Sequence, residues 1–319
     1  MKNPIRLRVW LMLWGCPFIT RCQNPAPAEG ELGGHQFVVT SMRTGNTDVF
    51  TVDPTTGDAR NLTRHPAEDR YPMWSPDGRK IVFTSNRNGA HNLFVMGADG
   101  SSVRQLTRET APAYCYFPTW PGKGGWIVFG LDRGGKGMVA RVAPNGSGFE
   151  VIGDGRDPCV SPDGEKIAFT GGVGKGSCVF VMDADGKNVR QLTTHENEIG
   201  AVGPTWLPDG TRILYCDQMG TTLELFVCDA DGKNQKQLTY QGMFIFSPAW
   251  SPDGKWISYR MTDDPRWRDA AWNPGTYEGQ SGDRQPVYVV LADGSNPHAV
   301  EALRYQAGVD GSRAAWKPK

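Results

Sequence analysis

Residues 71–107 read YPMWSPDGRKIVFTSNRNGAHNLFVMGADGSSVRQLT. They contain, in order, a Pro-x-Trp entry, a Ser-Pro-Asp-Gly turn, an alternating Ile-x-Phe run, a loop, a Leu-Phe-Val-Met run, an Asp-Gly turn and a closing Leu-Thr. Short apolar runs bounded by Gly, Pro and Asp are typical of strands joined by tight hairpins. The stretch therefore predicts one small antiparallel sheet of four strands.

The same pattern recurs along the chain at a period of about 40–45 residues, which is typical of a β-propeller. The entry position is occupied successively by Trp74, Trp120, Val160, Trp206, Trp250 and Trp316. One unit cannot bury its apolar face alone, so neighbouring units must stack, and closing the circle removes the exposed sheet edges. Because the tryptophans share one strand position, we interpret them as packing between blades and not as a ligand platform.

The chain ends predict how the circle closes. The first unit has no Pro-x-Trp entry and begins directly with its second strand, Phe37 to Val39, while Ala314 to Pro318 read as an entry strand. We therefore predict an all-β, six-bladed β-propeller of four-stranded antiparallel blades over residues 36–319, closed by the C-terminal strand completing the N-terminal blade.

Residues 1–28 are predicted to be a signal peptide. Basic residues open the segment, a short apolar stretch follows from Val9 to Ile19, and Ala26-Pro27-Ala28 provides small residues for cleavage. Arg21 interrupts the apolar run, so we expect no membrane span. Residues 29–35 then form a linker. The protein is expected to be exported to the periplasm, with lipid attachment at Cys16 as the alternative.

The composition of the chain bears on which partners it can bind and on what its cysteines do. The chain has 34 basic and 34 acidic residues and no basic block, which argues against nucleic acid as a partner. The chain contains seven cysteines without zinc-site or disulfide spacing, so we interpret those of the propeller as small buried apolar residues. The repeat register predicts that Cys216 lies opposite Glu224 on the neighbouring strand.

The largest departure from the repeat is a long insertion within residues 261–286 of the sixth unit, rich in aromatic and charged residues. It is either a surface flap or a binding element. Alternate loops of a propeller share a face, so this insertion should lie beside the other second-to-third-strand loops and the blade connections, at the mouth of the central channel. The candidate binding residues there are Asp69, Arg70, His91, Arg156, Glu196, Glu198, Trp267, Arg268, Trp272 and Tyr277.

The sequence resembles the TolB family of bacterial periplasmic propellers. The resemblance is carried by the Pro-x-Trp-Ser-Pro-Asp-Gly units at residues 72–78 and 248–254, and by the Arg-Gln-Leu-Thr elements at residues 104–107 and 190–193. It covers about residues 36–318 and implies the fold more strongly than a function. TolB carries a small α/β domain before its propeller; only residues 29–35 separate the inferred cleavage point from the first blade, so we expect a propeller without that domain.

Two functions are compatible with these observations. The first is a non-catalytic, monomeric binding module for a protein or peptide partner of the cell envelope, or for a glycan. The second is a carbohydrate-active enzyme, because some propellers that resemble this chain are polysaccharide lyases with a metal held by histidines. His65, His91 and His195 fall in loops of one face, and Glu196 and Glu198 offer paired carboxylates. Lone surface histidines and solvated acidic loops are commoner, so the binding module is favoured and no catalytic residue, metal ligand or cofactor is assigned.

Overall fold

The computed structural model describes residues 32, 35–123, 125–172, 176–194, 200–262, 287–299 and 314–318. They form an all-β propeller, as the repeat predicts. In chain order its strands are β1 (Phe37–Ser41), β2 (Asp48–Val52), β3 (Ala59–Asn61), β4 (Asp69–Trp74), β5 (Lys80–Ser85), β6 (Asn92–Gly97), β7 (Arg104–Gln105), β8 (Tyr114–Thr119), β9 (Ile127–Arg133), β10 (Lys136–Val142), β11 (Glu150–Asp154), β12 (Arg156–Val160), β13 (Lys166–Gly171), β14 (Cys178–Asp183), β15 (Arg190–Gln191), β16 (Val202–Trp206), β17 (Arg212–Met219), β18 (Thr222–Asp229), β19 (Lys236–Gln237), β20 (Phe244–Trp250), β21 (Trp256–Thr262), β22 (Val287–Leu291), β23 (His298–Ala299) and β24 (Ala315–Trp316).

The prediction of six separate four-stranded blades is wrong. Among the described residues there are four four-stranded sheets, in the orders β24-β1-β2-β3, β4-β5-β6-β7, β11-β10-β9-β8 and β12-β13-β14-β15, and β16 to β23 form one continuous sheet. The continuity arises because Leu223 of β18 pairs in parallel with Phe244 of β20. The hairpin β17–β18 has strands of 8 residues, against 6 in β5 and β6, so its far end extends to the next inner strand.

The C-terminal strand lies in the same sheet as the first strand of the chain. Phe37 pairs with Trp316 and Val38 with Ala315 in antiparallel register. The Lys317 backbone N–H donates to the Gln36 carbonyl at 2.7 Å. The two ends of the propeller are therefore held together by a β-ladder.

The Ser-Pro-Asp-Gly turns are closed by the serine hydroxyl. Ser75 Oγ accepts the Lys80 backbone N–H at 2.8 Å and donates to Asp77 Oδ1 at 2.6 Å. The Ser75 hydroxyl and then the Arg79 backbone N–H lower the pKa of the Asp77 carboxyl. Gly78 supplies the left-handed φ of 64° that ends the turn. The serine, the aspartate and the glycine of the motif thus each have a local structural role.

Tryptophans of the entry strands pack between neighbouring sheets, which confirms the interpretation from the repeat. Trp74 of β4 lies in a core cluster with Val38 of β1 and Phe83 of β5. Trp206 of β16 donates from Nε1 to the Cys159 carbonyl of β12 at 3.1 Å. An aromatic ring at this position therefore links an inner strand to the sheet before it.

Arginines of the outer part of one sheet also bind the turn of the next. Arg104 donates to the carbonyls of Pro144 at 2.7 Å and Asn145 at 2.8 Å. Arg190 likewise donates to the carbonyls of Asp231 at 2.6 Å and Ala230 at 3.2 Å. These repeated bonds join consecutive sheets at their outer edges, opposite to the tryptophans.

The predicted register of Cys216 is wrong by one residue, because Cys216 pairs with Leu225 and Glu224 pairs with Asp217. All five cysteines in the described part of the chain are free thiols, as expected. Burial raises the pKa of Cys115 and of Cys228 to about 12.

Nowhere in the described segments is there a helix long and apolar enough to cross a membrane.

Candidate functional site

Four of the ten predicted binding residues lie in the described structure. Asp69 and Arg70 open β4, His91 directly precedes β6, and Arg156 opens β12. We call the end of the propeller that carries them the loop face, and the opposite end, with the Pro-Asp-Gly turns, the turn face. The other six predicted residues fall outside the described residues: Glu196, Glu198, Trp267, Arg268, Trp272 and Tyr277.

Arg70 and His91 are brought together by Glu68, a residue that the sequence analysis did not single out. Glu68 Oε2 lies 2.9 Å from Arg70 Nη2 and 3.6 Å from His91 Nε2. Interaction with the His91 side chain and then with the Arg70 guanidinium lowers the pKa of the Glu68 carboxyl, against the opposing effect of partial burial. The Glu68 side chain is 41% exposed, so this ionised group is accessible to a ligand.

Asp69 forms an ion pair with Arg87 and is not part of the group around Glu68. It is fully buried and accepts two bonds from Arg87 Nη2, at 2.9 and 3.0 Å. The Arg87 guanidinium lies over the rings of Phe83 and Phe94, at 5.3 and 5.0 Å from their centroids. The pair fixes the loop between β5 and β6, which carries His91, so Asp69 positions the site from inside the protein.

Aromatic rings extend the site from β4 to β8. The His91 ring lies 4.2 Å from the ring of Tyr114, and the Tyr71 ring lies 4.5 Å from that of Phe117 in an edge-on contact. Tyr114 is also 6.0 Å from Tyr116 between ring centroids. Tyr114 and Phe117 are half-buried and supply apolar contact area beside Glu68, Arg70 and His91, whereas Tyr71 and Tyr116 are buried beneath them.

Tyr71 and Phe117 occupy equivalent β-bulges. Both residues are left-handed, with φ of 51° and 45°, and each directly precedes the proline of its entry strand. The register of β4 shifts between Arg70 and Met73, and β8 shifts at the matching position. Bulges redirect side chains and are frequent next to functional sites. The sequence signal was a large side chain before the entry proline, but nothing in it indicated the left-handed backbone.

Arg156 forms a second polar group beyond the aromatic rings. Its Nη2 lies 3.2 Å from Asp132 Oδ2 and donates to the Gly135 carbonyl at 2.9 Å. The side chain passes over Gly137, where a Cβ would lie 2.6 Å from Arg156 Cγ. Burial raises the pKa of the neighbouring Tyr116 phenol, which therefore stays neutral. The loop face thus presents two arginine–carboxylate pairs on either side of an aromatic cluster.

The histidines do not assemble within the described residues. His65 Nδ1 accepts the Ala67 backbone N–H at 3.0 Å, His91 faces Glu68 and Tyr114, and His195 lies outside the described residues. In those parts of the chain that the structure describes, no group of three or more His, Cys, Asp or Glu side chains is arranged to hold a metal ion. The described part of the site contains charged groups, hydrogen-bonding groups and aromatic rings.

Comparison with solved structures identifies the same fold in bacterial proteins. TolB from Acinetobacter baumannii superposes with a TM-score of 0.69 at 18% identity, over 91% of this chain and 68% of that one. A structure described as putative TolB from Agrobacterium tumefaciens superposes with a TM-score of 0.63 at 18% identity, over 83% and 88% of the two chains.

Sequence comparison also finds similarity to TolB proteins. The Tol-Pal system protein TolB of Anaeromyxobacter dehalogenans is 31% identical over 191 residues, which are 58% of this chain and 42% of the relative. An uncharacterized protein of Agrobacterium fabrum is 27% identical over 194 residues, 55% of this chain and 62% of the relative. The chain thus spans about half the length of these curated relatives. Residues 20–206, more than half of the chain, match the family model of the TolB beta propeller domain, and the chain therefore belongs to that family.

Proposed function

We propose that this protein is a non-catalytic, exported propeller that binds a protein or peptide partner of the cell envelope at its loop face. The observation that carries the proposal is the convergence of Glu68, Arg70 and His91 on an aromatic cluster at one end of the propeller. Aromatic residues and arginine are enriched at protein interfaces, where they contribute most of the binding free energy.

The chemistry of the site favours an extended polypeptide over a rigid globular surface. Glu68 offers an accessible carboxylate oxygen for backbone N–H or basic groups. Tyr114 and Phe117, which are half-buried, offer ring edges for apolar side chains, and the buried Tyr71 supports them from below. Arg156, on the far side of the cluster, extends the polar contacts along the mouth of the channel. A peptide laid across this face would meet charged, aromatic and charged groups in turn.

The proposed surface includes the remaining predicted residues, which lie outside the described residues. Glu196 and Glu198 precede β16, and Trp267, Arg268, Trp272 and Tyr277 belong to the insertion between β21 and β22. Because blade connections and second-to-third-strand loops share a face, both segments belong to the proposed loop face.

Family membership supports the location of the partner. Curated relatives that match part of this chain are named as Tol-Pal system proteins, which supports a role in the cell envelope. The N-terminal segment supports export, with residues 1–28 as the signal peptide, residues 29–35 as a linker and the propeller from residue 36. The periplasm is the proposed location, and anchoring through Cys16 is the alternative.

The proposal is tested by affinity capture from envelope extract. Three forms of the full chain serve as bait: the wild type, His91→Ala combined with Arg156→Met, and a form whose residues 262–285 are replaced by a short loop. We expect an envelope protein to be captured by the wild type and lost from at least one altered form. The matched control is Lys166→Ala, which removes an exposed charge at the start of β13 on the turn face.

Two results would contradict the proposal. Capture of the same partners by all forms would place recognition outside the loop face. Loss of capture by Lys166→Ala alone would indicate that the partner binds at the turn face. Circular dichroism of each form establishes that the propeller is folded before capture is compared.

A further inference from the structure

A second feature lies on the turn face, away from the proposed binding surface. The inner strands surround a cavity of about 190 Å³ at the centre of the propeller. Its wall includes Trp120, Trp206, Trp250 and Trp316, each at the end of an inner strand or directly after it. Pro121, Pro208 and Pro252, which begin turns of that face, complete much of the lining. The repeat thus places aromatic and proline rings around one central space.

The cavity borders the one entry position where the repeat departs from tryptophan. Val160 of β12 stands where neighbouring units carry Trp120 and Trp206, and it lines the cavity together with Cys159. A valine fills much less space than an indole ring. The departure in the fourth unit therefore leaves part of the wall open, where a fifth tryptophan of the cavity wall would lie.

The lining carries no charge among the residues that the structure describes. Its polar members are Thr119, Thr205 and Cys159. The Thr119 hydroxyl lies 3.4 Å from the Val128 carbonyl, and Cys159 Sγ lies 3.8 Å from Thr205 Oγ1. A charged group entering this space would lose part of its hydration without meeting an opposite charge, which is unfavourable. The lining therefore selects an uncharged ligand.

We propose that this cavity binds a small, uncharged aromatic molecule of one ring. The cavity is open to solvent on the turn face. An enclosed apolar cavity of roughly 150 Å³ is large enough to bind benzene, so the volume here is sufficient for one ring with a small substituent. The tryptophans pack mainly between sheets, and the small part of each ring that reaches the wall provides an edge-to-face contact for such a ligand. The thiol and hydroxyl of Cys159 and Thr205 offer one polar contact for a phenolic oxygen. This site is separate from the loop face and does not depend on the proposed partner.

The test is a titration of the full chain with p-cresol, followed by saturation-transfer NMR of the ligand. We expect saturable binding by the wild type and its loss in Val160→Trp, which restores the tryptophan of the repeat and fills the cavity. The matched control, Val189→Trp, adds the same side chain at an exposed position and leaves binding unchanged. Absence of saturable binding by the wild type, or undiminished binding by Val160→Trp, overturns the proposal.

Cys159 provides a second measurement that needs no substitution. It is half-buried, whereas the other four described cysteines are buried. Peptide mapping after iodoacetamide treatment reports its labelling separately. At ten times the dissociation constant of p-cresol the free cavity falls to about one eleventh, so labelling of Cys159 should slow about tenfold. Labelling that p-cresol leaves unchanged, despite saturable binding by NMR, would place the ligand elsewhere and overturn the proposal.

Discussion

At the scale of single residues, the glycine of each Ala-Asp-Gly turn has two structural roles. Gly186 adopts a φ of 85°, which favours glycine, and it also lies against the Ile152 carbonyl of the preceding sheet, where a Cβ would collide. Gly100 repeats this arrangement, since its Cβ would lie 2.6 Å from the Leu62 carbonyl oxygen. The turn motif therefore serves contact between sheets as well as the reversal of the chain.

Gly186→Ala should destabilise the protein more than Gly45→Ala does. Gly45 has a φ of 101°, but no atom lies within 4 Å of the place that a Cβ would take, so alanine there meets only the backbone cost of about 1–2 kcal/mol. At Gly186 the collision with Ile152 adds a further cost of about 2 kcal/mol or more. Denaturant unfolding of both variants measures the difference. Equal losses would show that the close approach between sheets contributes nothing.

Some single-residue features were predictable from the sequence and others were not. The Ser-Pro-Asp-Gly motif predicts its turns because the causes are local. The position of Cys216 was misplaced by one residue, because the hairpin centre lies between Gly220 and Thr221 and a register depends on that centre. Glu68 was not predicted because it contacts His91 only once β4, β5 and β6 have been assembled into one sheet, which brings the residue before β4 close to the residue before β6.

At the scale of elements, consecutive sheets are joined at the inner side by tryptophan and at the outer side by arginine. Trp206 reaches Cys159 of the preceding sheet, and Arg190 reaches Asp231 of the following one. The inner strands also share the left-handed bulge, at Tyr71 and Phe117 among others. The repeat pattern predicts that these strands exist and where they begin. It does not predict the bulge, because the proline that follows is compatible with ordinary strand backbone as well.

Arg190→Ala should lower the free energy of unfolding by about 1 kcal/mol, since it removes two hydrogen bonds to exposed carbonyls that water can replace. The matched control is Arg108→Ala, an exposed arginine for which the described structure records no such bond. We expect its effect to be within about 0.5 kcal/mol of zero. Thermal and denaturant unfolding measure both, and an equal effect of the two substitutions would contradict a joining role for Arg190.

At the scale of the whole molecule, the sequence predicted an all-β propeller but not how its strands would be shared among sheets. The count of separate blades was wrong because the lengths of β17 and β18 allow Leu223 to pair with Phe244 across a boundary that the repeat marks as a gap. The repeat pattern predicts the strands that all units share, whereas this pairing depends on the unusual length of two strands in one unit. The loop face likewise consists of segments that differ between repeat units, and these segments contain Glu68, His91 and Arg156. The turn face consists of the Pro-Asp-Gly and Ala-Asp-Gly turns, which recur from unit to unit.

The most direct test of the loop-face account is site-specific photo-crosslinking in cells that express the full chain. A photoreactive amino acid at position 88, exposed in the loop between β5 and β6, is compared with one at position 79, exposed in the turn between β4 and β5. We predict that an envelope protein is crosslinked from position 88 and not from position 79. Crosslinking from position 79 alone would contradict the account and place the partner on the turn face.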